Sequence, residues 1–120
     1  MPAKWMEYKG KQVLYVDYRK LSSKEFVALL EEADRQILAS PNKVLYLGNI
    51  EDAAVSREVM DWLRRHGPDT AKKKVDKIAI LGVTGVKKVL MDAVTGIFAK
   101  VAVPARPFKT EAEALDWLVK

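Results

Sequence analysis

Apolar and polar positions change rhythm several times along this chain of 120 residues, and each change marks an element. Two β-type runs, Trp5 to Tyr8 and Gln12 to Tyr18, flank Lys9-Gly10-Lys11, a short glycine-bearing connection of the kind that closes hairpins. Ser22 followed by Glu25 reads as a capping box, in which hydroxyl and carboxylate satisfy free N–H groups at a helix start. Phe26, Leu29, Leu30, Ala33 and Ile37 then recur at helical spacing, which predicts a helix with that stripe buried and Glu31, Asp34 and Arg35 facing water. Ser40-Pro41-Asn42 is its expected end. Lys43 to Leu47 reads as a short strand, and Gly48-Asn49 is expected to turn the chain into a polar loop, Ile50 to Ala54.

A second helix is expected from Ser56 to His66 with Val55, Val59, Trp62 and Leu63 inward, stopped by Gly67-Pro68, where Gly permits a left-handed cap and Pro forbids continuation. Ile78 to Leu81 is an unbroken apolar run, the pattern of a central parallel strand covered on both faces. Gly82-Val83-Thr84-Gly85 leads into a third helix with Val86, Val89, Leu90, Ala93 and Val94 as its apolar face, and Gly96-Ile97-Phe98 is expected to follow that helix as an apolar patch. A last strand near Val101 to Val103 precedes a capping box at Thr110 and Glu113 and a closing helix, Glu111 to Val119. Such alternation predicts a single α/β domain over residues 1–120: a hairpin, then strands and helices joined by right-handed crossovers into a mostly parallel sheet of about five strands with four helices.

Those runs resemble a known family. Tyr8-Lys9-Gly10-Lys11 with Val13-Leu14-Tyr15-Val16-Asp17-Tyr18, then Ile80 to Val89, then Phe108-Lys109-Thr110-Glu111 with Ala114-Leu115-Asp116-Trp117-Leu118, are similar in order and spacing to small STAS-like proteins of bacteria or archaea. That superfamily includes anti-sigma-factor antagonists and the cytoplasmic domains of sulphate transporters; the likeness is to an uncharacterised branch. The resemblance implies a STAS-like fold and a protein partner, such as a regulatory kinase or signalling protein. It also implies a phosphorylatable Ser or Thr at the start of the second helix, where phosphate would meet free N–H groups and the helix dipole. Ser56 stands there, yet Ala54 and Arg57 replace the Asp and Gly of the family's Asp-Ser-Ser-Gly motif. Read by itself, Ser56 is an N-cap.

Composition narrows the chemistry. The chain has no Cys, which removes disulfides, thiolate metal sites and a cysteine nucleophile together. One His, His66, expected at a helix end, makes a metal site or a His-dependent catalytic group a poor expectation; no catalytic residue, metal or cofactor is assigned, and the chain is read as not an enzyme. An enzyme would need Asp17, Tyr18, Glu51 or His66 to meet in a cleft. The formal charge of +5 is partly concentrated in Lys72, Lys73, Lys74 and Lys77, a basic run without interleaved aromatics, read as a solvated helix end or loop and not as a specific nucleic-acid site. The opening residues lack a secretory signal and no run is apolar enough to span a membrane, so a cytoplasmic location without a transmembrane segment is expected.

Two functional expectations follow. The first is a non-catalytic interaction or regulatory module using Glu51, Asp52, Ser56 and Arg57 at the start of the second helix, beside the Gly82 to Lys88 turn. The second is a small carrier or sensor. Gly82, Thr84, Gly85, Lys87 and Lys88 have the strand, glycine turn and helix start of an anion site, although the spacing is neither that of a Walker loop nor that of a dinucleotide fingerprint. Met60, Met91, Ile97 and Phe98 could instead line a space for a lipid-like ligand. Trp5, Tyr8, Tyr15 and Tyr18, in a hairpin at a sheet edge, would favour partner docking or a homodimer.

Overall fold

A computed structural model describes residues 2–120. Strand β1 (Ala3–Tyr8) pairs antiparallel with β2 (Lys11–Asp17) across a two-residue turn, Lys9-Gly10, in which both residues take positive φ, 49° and 82°. That is the backbone hand that matches strand twist in tight hairpins. Helix α1 (Ser23–Ala39) starts on the expected capping box, with both the Ser22 hydroxyl and the Glu25 carboxylate engaged, and buries the whole predicted stripe. Strand β3 (Val44–Asn49), helix α2 (Arg57–Lys74), strand β4 (Val75–Leu81), helix α3 (Lys87–Ala99), strand β5 (Ala105–Phe108) and helix α4 (Glu111–Val119) complete the chain.

The sheet order is β1-β2-β3-β4-β5, with β2 to β5 all parallel. Because the strand order runs one way, right-handed crossovers place α1, α2 and α3 on the same face. Leu14, Val16, Ile78 and Ala105 carry that face's core toward Phe26, Leu30, Val59, Trp62 and Phe98. Helix α4 covers the other face, where Ala114, Leu115 and Leu118 pack on Val13, Leu45, Leu47, Ala79 and Leu81. Its Thr110 cap is half a box: the hydroxyl accepts from the Glu113 amide and donates to the Glu113 carboxylate.

Several expectations are corrected. Gly48 and Asn49 do not turn the chain; they extend β3, pairing in register with Val16, Ile80 and Leu81, and Asn49 is buried with its amide donating to Tyr15 Oη. Helix α2 does not stop at Gly67-Pro68 but runs through it, so His66 lies within the helix and not at its end. A proline in a helix interior costs about 3 kcal/mol, and what offsets it is burial beyond it: Thr70 and Ala71 pack into the core, while bare Gly67 lets the Phe98 ring approach to where a Cβ would be 3.1 Å from it. Lys72, Lys73 and Lys74 then occupy the helix's last turn, favourably placed for its dipole, but Lys77 sits on β4, with its ammonium over the Trp117 ring.

Helix α3 is rotated from expectation. Its inward face is Leu90, Met91, Val94, Ile97 and Phe98, which puts Ile97 and Phe98 inside the helix and the core and not in a patch after it. Val86 and Val89 are 83% and 74% exposed. At 3.6 residues per turn Val89 lies roughly 140° from Val94, whereas Lys87, two turns before Val94, points inward. The final strand is Ala105–Phe108; Val101 and Ala102 form a turn, with Ala102 at φ 61°. Pro107 is tolerated there because β5 is an edge strand. No helix among the described residues is long and apolar enough to cross a membrane.

Candidate functional site

The C-terminal ends of β3 and β4, and the loops after them, meet at one rim of the sheet, where open parallel sheets commonly bind ligands. The Ile50 amide donates to Leu81 O at 2.9 Å, and Gly82, at φ 88°, lies so close to Glu51 that a Cβ there would be 2.6 Å from Glu51 Cα. Only glycine combines that conformation with that approach. The structure therefore brings together the two segments singled out from sequence. Glu51, beside Gly82, is exposed, as are Asp52 and Arg57; Ser56 is half-buried and caps α2, its hydroxyl accepting from the Val59 amide at 3.4 Å.

In the second segment the donors are spent locally. Lys87 Nζ donates to Ile50 O at 2.8 Å, and the amides of Lys87, Lys88 and Val89 donate to Thr84, Gly85 and Val86 carbonyls. Thr84, Gly85 and Lys88 are exposed. Asp17 pairs with Arg19 at 2.8 Å on the same rim, and the guanidinium holds the Asp17 carboxyl below the usual carboxylate range.

Beneath the rim, between the sheet and the layer of α1, α2 and α3, lies a cavity of about 110 Å³. Its walls include Phe26, Leu30, Ala33 and Ile37 from α1, Val59 and Trp62 from α2, Ile78 and Ile80 from β4, and Leu90, Met91, Val94 and Phe98 from α3. Of the four residues proposed from sequence to line such a space, Met91 and Phe98 do, whereas Met60 and Ile97 are buried outside it.

One corner is polar. Tyr18, immediately after β2, and Tyr46, on β3, share a hydroxyl–hydroxyl hydrogen bond, and Phe26 stacks on the Tyr18 ring at 4.3 Å. Burial pushes both phenols above their ordinary pKa, and the nearby Asp34 carboxylate adds to the effect. Asp34 Oδ2 accepts from Thr70 Oγ1 at 2.9 Å, joining α1 to α2. Burial pushes the Asp34 carboxyl up, while the Thr70 hydrogen bond and the charge of His66 pull the other way. His66 packs against Trp62 at 5.1 Å.

Asp34, placed in water by its polarity alone, is thus half-buried. The signal was present: Leu30, Ala33, Asp34 and Ile37 follow the i, i+3, i+4, i+7 spacing of a single helix face. Tyr46, a lone aromatic in an aliphatic strand, and Thr70, beyond the expected helix stop, were likewise not singled out. Of the groups an enzyme would need together, Tyr18 is under the helices, and Asp17 and Glu51 are on the rim. Among the described residues no three His, Asp or Glu side chains converge as a metal site requires.

At the sheet edge, Trp5 is 40% exposed on β1, whereas Tyr18 from the same hairpin region is buried; Tyr8 Oη donates to Asp116 at 2.7 Å, tying the hairpin to α4.

No protein-family model and no curated protein sequence matches the chain. Among solved structures it is similar to an uncharacterized protein of the DUF3478 family with a SpoIIAA-like fold from Shewanella loihica PV-4. The TM-score is 0.64 at 16% identity, over 97% of this chain and 91% of that one. At that identity the likeness concerns architecture, and it agrees with the hairpin, the parallel strands and the four helices described above: the chain has the SpoIIAA-like, or STAS-like, fold.

Proposed function

We propose that this domain is a non-catalytic binder of a small apolar molecule, held between its helical layer and its sheet. The observation that carries the reading is the cavity of about 110 Å³ with apolar walls and one polar corner. Well-packed interiors leave few voids larger than a water molecule, and ligand sites are concave, apolar and furnished with a few convergent polar groups. Native mass spectrometry of protein purified gently from its host, together with amide chemical-shift titrations with toluene and phenol, tests it. A co-purifying adduct or saturable shifts at Tyr46, Val59 and Met91, abolished by filling the space with Ala33→Leu, is expected. No adduct and no saturable shift with either compound would overturn the reading.

A second reading, an interaction module, is favoured by Val86 and Val89, exposed at the start of α3, which the Lys87 hydrogen bond to Ile50 O ties to the loop carrying Glu51 and Asp52. The first turn of α3 serves both readings, since Lys87 and Leu90 line the cavity while Val86 and Val89 face outward. A protein partner docking there, such as a kinase or signalling protein or a second copy, would sense whether the cavity is occupied. A pull-down in which Val89→Glu, Arg57→Glu bait retains every partner of the wild type would sink it.

A further inference from the structure

The size, walls and polar corner of the cavity together restrict its occupant. An apolar cavity of about 150 Å³ holds one benzene molecule, so a partly open space of about 110 Å³ takes at most a single ring and not the chain of a lipid. The rings of Tyr18, Phe26, Tyr46, Trp62 and Phe98 on its walls offer aromatic faces and edges. At the corner, the Tyr18–Tyr46 hydrogen bond consumes one of the pair's two O–H protons and leaves the other to donate. Asp34 commits Oδ2 to Thr70 and leaves Oδ1 to accept. A free O–H donor and a free carboxylate acceptor on the wall of one cavity match a hydroxyl, which both accepts and donates. A carboxylate would be repelled by Asp34, and Lys87 Nζ, the one cation on the wall among the described residues, already donates to Ile50 O. An ammonium would satisfy Asp34 but offer nothing to the tyrosine O–H.

We propose that the cavity selects a compact hydroxylated aromatic, of phenol size, through Asp34 and the Tyr18–Tyr46 pair. This rests on the ligand-binding reading above and narrows it. The order of affinities is diagnostic, because in a purely apolar void toluene outranks phenol, whose hydroxyl would be desolvated without a partner. A hydrogen bond to an ionised group reverses that order by about tenfold or more.

The test is amide chemical-shift titration of the full chain with phenol, toluene, benzoate and octanoate. Phenol is expected to bind about tenfold more tightly than toluene, with benzoate and octanoate weaker than both. Asp34→Leu and, separately, the double variant Tyr18→Phe, Tyr46→Phe, which removes both hydroxyls where either single change would leave one free O–H, should each pull the phenol-to-toluene ratio toward one while toluene affinity is retained. Toluene binding as tightly as phenol, octanoate or benzoate binding best, or a phenol preference that survives both variants would overturn this inference and leave the ligand-binding reading standing. Binding of none of the four would overturn this inference, and together with the absence of any co-purifying adduct would overturn both.

Discussion

The packing of the two rim loops is most sharply tested by Gly82→Ala. Alanine at φ 88° carries the left-handed backbone penalty, and its Cβ would press on the Glu51 amide nitrogen and lie 2.6 Å from Glu51 Cα, which are backbone atoms that cannot rotate away. Relief requires the β3–α2 loop to withdraw, which endangers the hydrogen bond from the Ile50 amide to Leu81 O. Backbone strain of about 1–2 kcal/mol and a lost hydrogen bond of about 1 kcal/mol give a destabilisation of about 2–4 kcal/mol once residual crowding is included. For a domain of this size that corresponds to a fall in Tm of about 8–16 °C. Gly85→Ala is the control: φ is 58°, but no atom lies within 4 Å of the added Cβ, so only the backbone term applies. It should cost about 1–2 kcal/mol. Thermal and urea unfolding followed by circular dichroism measure both. Equal losses for the two variants would refute the claim that Gly82 seats one loop against the other.

Other perturbations test neighbouring parts of the account. Ser56→Ala should cost about 1 kcal/mol in urea unfolding through loss of the α2 cap, and Ser56→Asp should restore most of it; equal stability of all three would refute the capping role. Pro68→Ala should stabilise the domain by about 2–2.6 kcal/mol, the interior-helix penalty of about 3 kcal/mol less the roughly 0.4–1 kcal/mol of entropy returned to the unfolded chain, whereas a helix that really ended at Gly67 would gain nothing. Asp34→Asn should stabilise the domain at neutral pH. Burial raises the folded-state pKa of Asp34 above its unfolded value, so stability from this group is greatest at low pH and is lost as pH rises through the folded pKa. His66 from α2, Glu31 from its own helix, and Tyr18 and Tyr46 from the sheet side are the titratable groups that face it. The gain in Tm should therefore shrink toward zero below about pH 3, and a gain independent of pH would contradict the assignment.

Local physics made much of this architecture legible in the residues alone. Hydroxyl and carboxylate three apart at Ser22 and Glu25 start a helix wherever they stand, and Lys9-Gly10 between β-type runs closes a hairpin by backbone preference. The stripe from Phe26 to Ile37 is buried because helical periodicity leaves it one face to bury. Alternation of strand and helix then leaves little besides a parallel sheet, and the handedness of crossovers sends three helices to one side. What tertiary structure alone decided are the places where a long-range contact outweighs a local rule. Pro68 breaks an isolated helix, but burial of Thr70 and Ala71 carries α2 past it. Gly48-Asn49 would turn a free chain, but pairing on both sides keeps it in β3. Val86 and Val89 look like core until the packing of Met91 and Phe98 sets the rotation of α3. The polar groups of the cavity are the extreme case, since Tyr18, Asp34, Tyr46 and Thr70 come from four separate elements and loops, and only the closed fold places an acceptor and a hydroxyl pair on the wall of one apolar cavity.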